Sequence, residues 1–203
     1  MDTSWNQTAS FIEGRISQLN QTSNEAAVRA TFAKMRRGLG KSPAASPENW
    51  ELTLQGVPEG LTGRGLEPSW GEWAIHISLT LYSFHQQGKS LQAESMHEKG
   101  QYLGKALQRL IKTDEESPRI KKRFDQLVTA NNLEEIAHYL RGIVQLLKAE
   151  GYPLDYSALG QDLYLWQNLA TRDGVRLRWG RDYYHRISKS ASDENKKQEM
   201  ENL

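Results

Sequence analysis

Apolar positions in this 203-residue chain recur at steps of three and four almost from end to end, the spacing that gathers side chains on one face of an α-helix. Trp5, Ala9, Ile12, Ile16 and Leu19 predict a helix over 4–20. Ser23-Asn24 is a capping pair opening a second helix that turns Val28, Phe32, Met35 and Leu39 inward, with Gly38 and Gly40 at its end. A Pro/Ser/Ala linker (42–48) leads to a short helix over 47–55, and the glycine-rich stretch 56–69, with two prolines, predicts a long loop. The segment 70–84 is ambiguous. Trp70, Trp73, Ala74, Ile77, Leu81 and Phe84 have helical spacing, while Ile75, Ile77, Leu79 and Leu81 alternate as in a strand. We read it as a helix apolar on most sides and therefore buried. Residues 85–98 are polar and read as a linker.

The second half is better punctuated. Leu103, Ala106, Leu107, Leu110 and Ile111 share one face of a helix, with Lys105, Arg109 and Lys112 in line on the opposite face. Ser117-Pro118, an N-cap hydroxyl with proline at the first helical position, starts the next, which buries Ile120, Phe124, Leu127 and Val128. Asn132 with Glu135 is a capping-box start for a third helix carrying Leu133, Ile136, Ala137, Leu140, Val144 and Leu147. Gly151 and Pro153 stop it, and Asp155 caps a helix that places Tyr156, Leu159, Leu163, Trp166 and Ala170 inward. Asp173-Gly174 predicts a tight turn into the last helix, and the tail 191–203 is low in apolar residues and expected to be disordered. The fold class is all-α: a smaller N-terminal bundle (1–90) and a larger C-terminal bundle (99–190) with Trp166 and Trp179 in its core.

Composition narrows the chemistry. There are no cysteines, so disulfides and thiolate catalysis are excluded and zinc would need His and carboxylates alone. The five histidines form no i, i+4 pair and no HExxH grouping. Gly40-Lys41-Ser42 and Gly88-Lys89-Ser90 imitate the end of a P-loop, but Met35 and Ser83 stand where its first glycine belongs. No enzyme, cofactor or metal is expected. MDTSWNQTAS lacks the basic and apolar regions of a signal peptide. No apolar run approaches the roughly 20 residues that span a bilayer, so a cytoplasmic protein is expected.

The formal net charge of +1 hides an asymmetry. Residues 1–98 hold 8 Lys and Arg against 10 Asp and Glu; residues 99–190 hold 16 against 11; residues 191–203 hold 2 against 4. Cations spaced along helix faces suit contact with a nucleic-acid backbone, which needs positive charge and no base-edge code. The candidates are Lys34, Arg37 and Lys41 in the first half, with Lys105, Arg109, Lys112, Arg119, Lys122, Arg123 and Arg141 in the second. Lys105, Arg109 and Lys112 rank highest because their line lies opposite the apolar stripe, and replacing all three by alanine is expected to leave the fold intact. Arg176 and Arg178 rank lower, as partners for Asp173 or Asp182.

The order of the blocks ATFAKMRRGLGK, GKALQRLIK, RIKKRFDQLV, LRGIVQLLK, LDYSALGQDLYLW and VRLRWGRDYY resembles the small-subunit (CasB) family of the type I-E CRISPR surveillance complex, Cascade, over roughly residues 25–187. The resemblance implies an all-α, non-catalytic protein of two helical bundles. It implies two copies head to tail against the backbone subunits that hold the guide RNA, with the large subunit as a further neighbour. It also implies contact with the CRISPR RNA and target DNA and with the displaced single-stranded DNA, a role in antiviral defence, and no membrane. From the residues alone, a helical protein–protein adaptor whose basic faces are merely solvated stands as the alternative. A helical DNA-binding regulator is disfavoured, since the TANN junction (129–132) lacks the glycine usual in a helix-turn-helix.

Overall fold

The computed structural model describes the backbone of residues 3–91 and 93–201, and the side chains of these as far as His185. Among the described residues the regular structure is helical, without strands. In chain order the helices are α1 (Ser4–Gln21), α2 (Glu25–Arg37), α3 (Trp50–Thr53), α4 (Trp70–His85), α5 (Leu103–Arg109), α6 (Ser117–Val128), α7 (Leu133–Glu150), α8 (Tyr156–Gln167) and α9 (Leu169–Glu201). Short 3-10 turns cover Pro47–Asn49 and Glu59–Leu61. The side chains of the tail 191–203, expected to be disordered, lie outside the described ones.

Several helix starts follow from side-chain capping. Asn24 accepts from the Ala27 amide (3.0 Å), Asn132 from that of Glu135 (2.8 Å) and Asp155 from that of Ala158 (2.9 Å). The ambiguous 70–84 stretch is helical, started by a full capping box in which Ser69 and Glu72 exchange bonds. Gly151 closes α7 in the left-handed conformation (φ 66°), where glycine carries no Cβ penalty. Three expectations are corrected. Ser117 lies inside α6 and its hydroxyl caps nothing; the residue ahead of the helix is Glu116, whose carboxylate accepts from the Lys112 amide (2.8 Å). The break between α8 and α9 falls at Asn168, not at Asp173-Gly174, because the Asn168 side chain accepts from the Ala170 amide (2.9 Å) and its carbonyl from Thr171 and Arg172. Ala170, expected inside, is therefore exposed at the start of α9, and Gly174 is accommodated within that helix at the modest cost of an exposed helical glycine.

The core is one continuous buried cluster drawing on both halves of the chain. Twelve of the sixteen α4 residues are buried, and α1, α2, α7 and α8 surround the helix. α8 packs on α1 and α4 and also meets α9, while α5 lies on α9. Two glycines permit close approaches between helices. A Cβ on Gly160 would collide with Ile12 Cδ1, and one on Gly104 with the Trp179 carbonyl oxygen. Trp166 and Trp179 are buried as expected, each 1% exposed, whereas Trp50 and Trp70 are more than two-fifths exposed.

Residues 85–98 are laced to their surroundings. The Gln86 side chain donates to the Ser90 and Glu94 carbonyls and accepts from the Met96 amide. His97 Nδ1 accepts from the Tyr156 amide (3.1 Å), so Nε2 carries the hydrogen and donates to Glu13 Oε2 (2.9 Å). One imidazole thereby joins α1 to the start of α8. Two buried groups respond to pH in opposite senses. Burial, helped by the Lys148 charge, pushes His85 down to about 4, so its stabilising contribution is complete above the unfolded histidine pKa and is lost as pH falls towards 4. Burial raises Asp162 to about 6 against the pull of Arg178 and Trp179, so the folded state gains relative stability as pH falls from about 6 towards 4.

Two outcomes are expected in chemical denaturation. Gly104→Ala loses about 1–3 kcal/mol, because the clash is with backbone, while Gly174→Ala, which meets nothing within 4 Å, gains up to about 1 kcal/mol of helix propensity. Between pH 7 and pH 5, His85→Gln loses less stability than the wild type and Asp162→Asn loses more.

Candidate nucleic-acid interface

The structure divides the ten sequence-predicted cations into two groups. Lys105, Arg109 and Lys112 form no single line, because α5 ends at Arg109 and Lys112 lies in the turn beyond it. Each is engaged within the chain. Lys105 sits over the Tyr102 ring (4.8 Å to its centre). Arg109, half-buried, stacks over Tyr152 (4.2 Å) and donates to Gln101 (3.2 Å). Lys112 pairs with Glu150, which raises its pKa. Arg176 and Arg178 are likewise occupied: Arg176 with Asp173 and the Ala130 carbonyl, Arg178 with Asp162 rather than Asp182.

The remaining seven have no ion-pair or hydrogen-bond partner for their side chains among the described residues. Lys34 and Arg37 are exposed on the last turns of α2, where they also complement the helix dipole; Lys34 shares a small groove with Glu48 and Glu51. Lys41 is exposed just after Gly40, which has φ 78°. Arg119 and Lys122 are exposed on α6, and Arg141 on α7. Arg123 is half-buried between these helices; a Cβ on Gly142 would lie 3.0 Å from its Nη1. Arg123, Arg141, Gln126, His138 and Gln145 line an open groove of about 350 Å3. Residues 138, 141, 145 and 148 form one stripe along α7, spanning about 15 Å at 1.5 Å per residue.

The stripe leads to cations that sequence reasoning missed. Lys148 donates to Gln87 (3.0 Å) and lies over the Phe84 ring. Partial burial and the nearby Arg36 guanidinium lower its pKa. Arg36, whose pKa burial also lowers, borders a second groove of about 400 Å3 with Arg29 and Lys89. The two like charges influence each other across α4, which both α2 and α7 flank. The polar stripe on α7 was readable from its spacing; the influence of the Arg36 charge on Lys148 is set by the tertiary fold and has no local signal.

Among the described residues no cluster of three or more His, Asp or Glu side chains could hold a metal, and no helix is long and apolar enough to cross a membrane. The fold and the cationic surface define an all-helical protein that displays, around a single shared core, cations without an ion-pair partner among the described residues. The family profile described as CRISPR-associated protein Cse2 matches residues 31–184. The chain belongs to this family, the CasB small-subunit family of type I-E Cascade. It is similar to the crystal structure of CasB from Thermobifida fusca, at 31% identity and TM-score 0.71 over 88% of this chain and 98% of that one. It also resembles CasB from M. ruber (26% identity, TM-score 0.65, over 90% and 97%) and a Cse2-family CRISPR-associated protein from Thermus thermophilus (26%, 0.63, over 88% and 97%). No curated protein sequence matches. Family membership supports a role as a Cascade subunit.

The division of the cations has a stability consequence that the expectation of an intact fold in the triple variant did not include. Arg109→Ala loses about 1 kcal/mol through its ring and Gln101 contacts, while Arg119→Ala and Lys122→Ala stay within about 0.5 kcal/mol of wild type. Urea midpoints of the three single variants check this.

Proposed function

We propose that the protein is a non-catalytic small subunit of Cascade that binds the backbone of nucleic acid without reading sequence and stabilises the target and displaced strands of the R-loop in antiviral defence. The carrying observation is that the side chains of Lys34, Arg37, Lys41, Arg119, Lys122, Arg123 and Arg141 have no ion-pair or hydrogen-bond partner among the described residues, within a chain of the Cse2 family. Unpartnered cations exchange only water and counterions for phosphate, so their contacts depend on salt and not on base identity. The partners in this reading are the guide-RNA backbone subunits, the large subunit, a second copy of the chain, the CRISPR RNA with its target DNA, and the displaced single strand. The setting is the cytoplasm, with no membrane and no cofactor.

A subunit seated among other proteins also needs apolar contact area. Leu66 is fully exposed at the glycine-rich loop, and Leu169 is 77% exposed at the α8–α9 junction. Each is a single exposed leucine and not a patch, so the assembly role rests on family membership.

The test uses the full chain and a single-stranded DNA oligonucleotide, followed by fluorescence anisotropy across a salt series. Affinity is expected to fall steeply with salt, and replacing Arg119, Lys122, Arg123 and Arg141 by alanine to flatten the log–log slope by up to about 3, at about 0.7 per phosphate contact. Salt-independent binding, or strong preference for one sequence, contradicts the reading. In the assembled complex the same variant is expected to leave guide binding unchanged and to expose the displaced strand to a single-strand probe.

A further inference from the structure

The groove between α6 and α7 is built in two parts. The helices pack together across the short junction 129–132, and the Arg123 guanidinium lies against Gly142. At that end Arg123 and Arg141 supply two guanidinium groups without an acidic partner among the described residues. One helical turn further along α6 is Gln126, and one turn back along α7 are His138 and Tyr139, whose rings meet edge to face at 5.5 Å. No carboxylate is among the residues lining the groove. Its volume of about 350 Å3 is at the small end of the range for small-molecule sites.

We infer that this groove holds one nucleotide of a single strand, its phosphate between Arg123 and Arg141 and its base on the His138 side, along the Gln126 amide. The inference rests on the nucleic-acid reading above and goes beyond it, because a surface that only tracks backbone has no use for a base platform. A helical turn of about 5.4 Å separates the two ends, the order of the distance from a nucleotide's phosphate to its base. Guanidinium pairs suit phosphate through their fixed fork of donors. An aromatic ring accepts any base face, and a primary amide presents both a donor and an acceptor to a base edge. The site therefore favours the presence of a base over its absence without selecting one sequence. Gly142 is the residue that keeps it open: a side chain here enters the space beside the Arg123 guanidinium without altering charge.

The test compares a short oligothymidine with an abasic strand carrying the same number of phosphates, each titrated with the full-length chain. Wild type is expected to bind oligothymidine about tenfold more tightly, the order of one stacked base. Gly142→Leu is expected to abolish that difference and to weaken abasic binding as well, because its side chain displaces the Arg123 guanidinium. His138→Ala, at an exposed position, is expected to reduce it severalfold, and decides the matter if the leucine variant does not fold. Equal affinity of wild type for the two strands, or a preference untouched by both variants, overturns the nucleotide site and leaves backbone binding standing. Failure of wild type to bind either strand overturns both.

Discussion

The burial of α4 on nearly its whole circumference fixes where the other helices go, and several of its buried polar side chains are satisfied by its own backbone or by its neighbours, although Ser78 Oγ has no hydrogen-bond partner among the described residues. Thr80 and Ser83 turn their hydroxyls back to carbonyls of the preceding turn, to His76 and Thr80 respectively. His76 reaches the Gly38 carbonyl at the end of α2 (3.1 Å), and His85 Nδ1 faces the Tyr156 hydroxyl of α8 (2.9 Å). Each of these last two contacts ties one surrounding helix in place. Gly160 then lets α8 press against Ile12 of α1 beside Ser78 of α4, so three helices close at a spacing a larger side chain would forbid.

That arrangement explains where the charge can go. α1, α2, α7 and α8 spend one face on α4. α6 lies outboard, against α7 and α5, and reaches α9 through Phe124 stacked on Tyr183 (4.5 Å between ring centres). Its remaining surface and the outer stripe of α7 are left to solvent, and these carry Arg119, Lys122, Arg123 and Arg141. The basic excess of residues 99–190 thus collects where packing makes no demand on the side chains. A concentrated positive surface repels itself and adds nothing to folding, and it becomes favourable only when counterions or phosphates neutralise it.

Much of this was legible because it is local. Asn24, Asn132, Asp155 and Gly151 punctuate helices through bonds that span three or four residues, and the apolar stripes of α6 and α7 were visible at their spacing. What failed was decided at longer range or by competition between signals. Asp173-Gly174 has the composition of a turn, yet Asn168 offers a side-chain cap five residues earlier and the helix starts there. The line through residues 105, 109 and 112 assumed a helix one turn longer than α5, whose last residue is Arg109. Nothing near Arg109 in sequence announces Tyr152, which the fold brings to it from beyond the end of α7.

The most conspicuous cations are therefore the ones already engaged within the chain, and the consequence is energetic. Lys112 must surrender Glu150, and Arg109 must leave the Tyr152 ring, before either can meet a phosphate. The gain is then only the difference between two favourable contacts. Arg123 and Arg141 surrender hydration alone, and Arg123 is already held between two helices, so less side-chain freedom remains to be lost. Position opposite an apolar stripe says that a cation is not needed in the core. Only the absence of a partner in the folded chain says that its charge is available, and by that criterion the α6–α7 face outranks the α5 face.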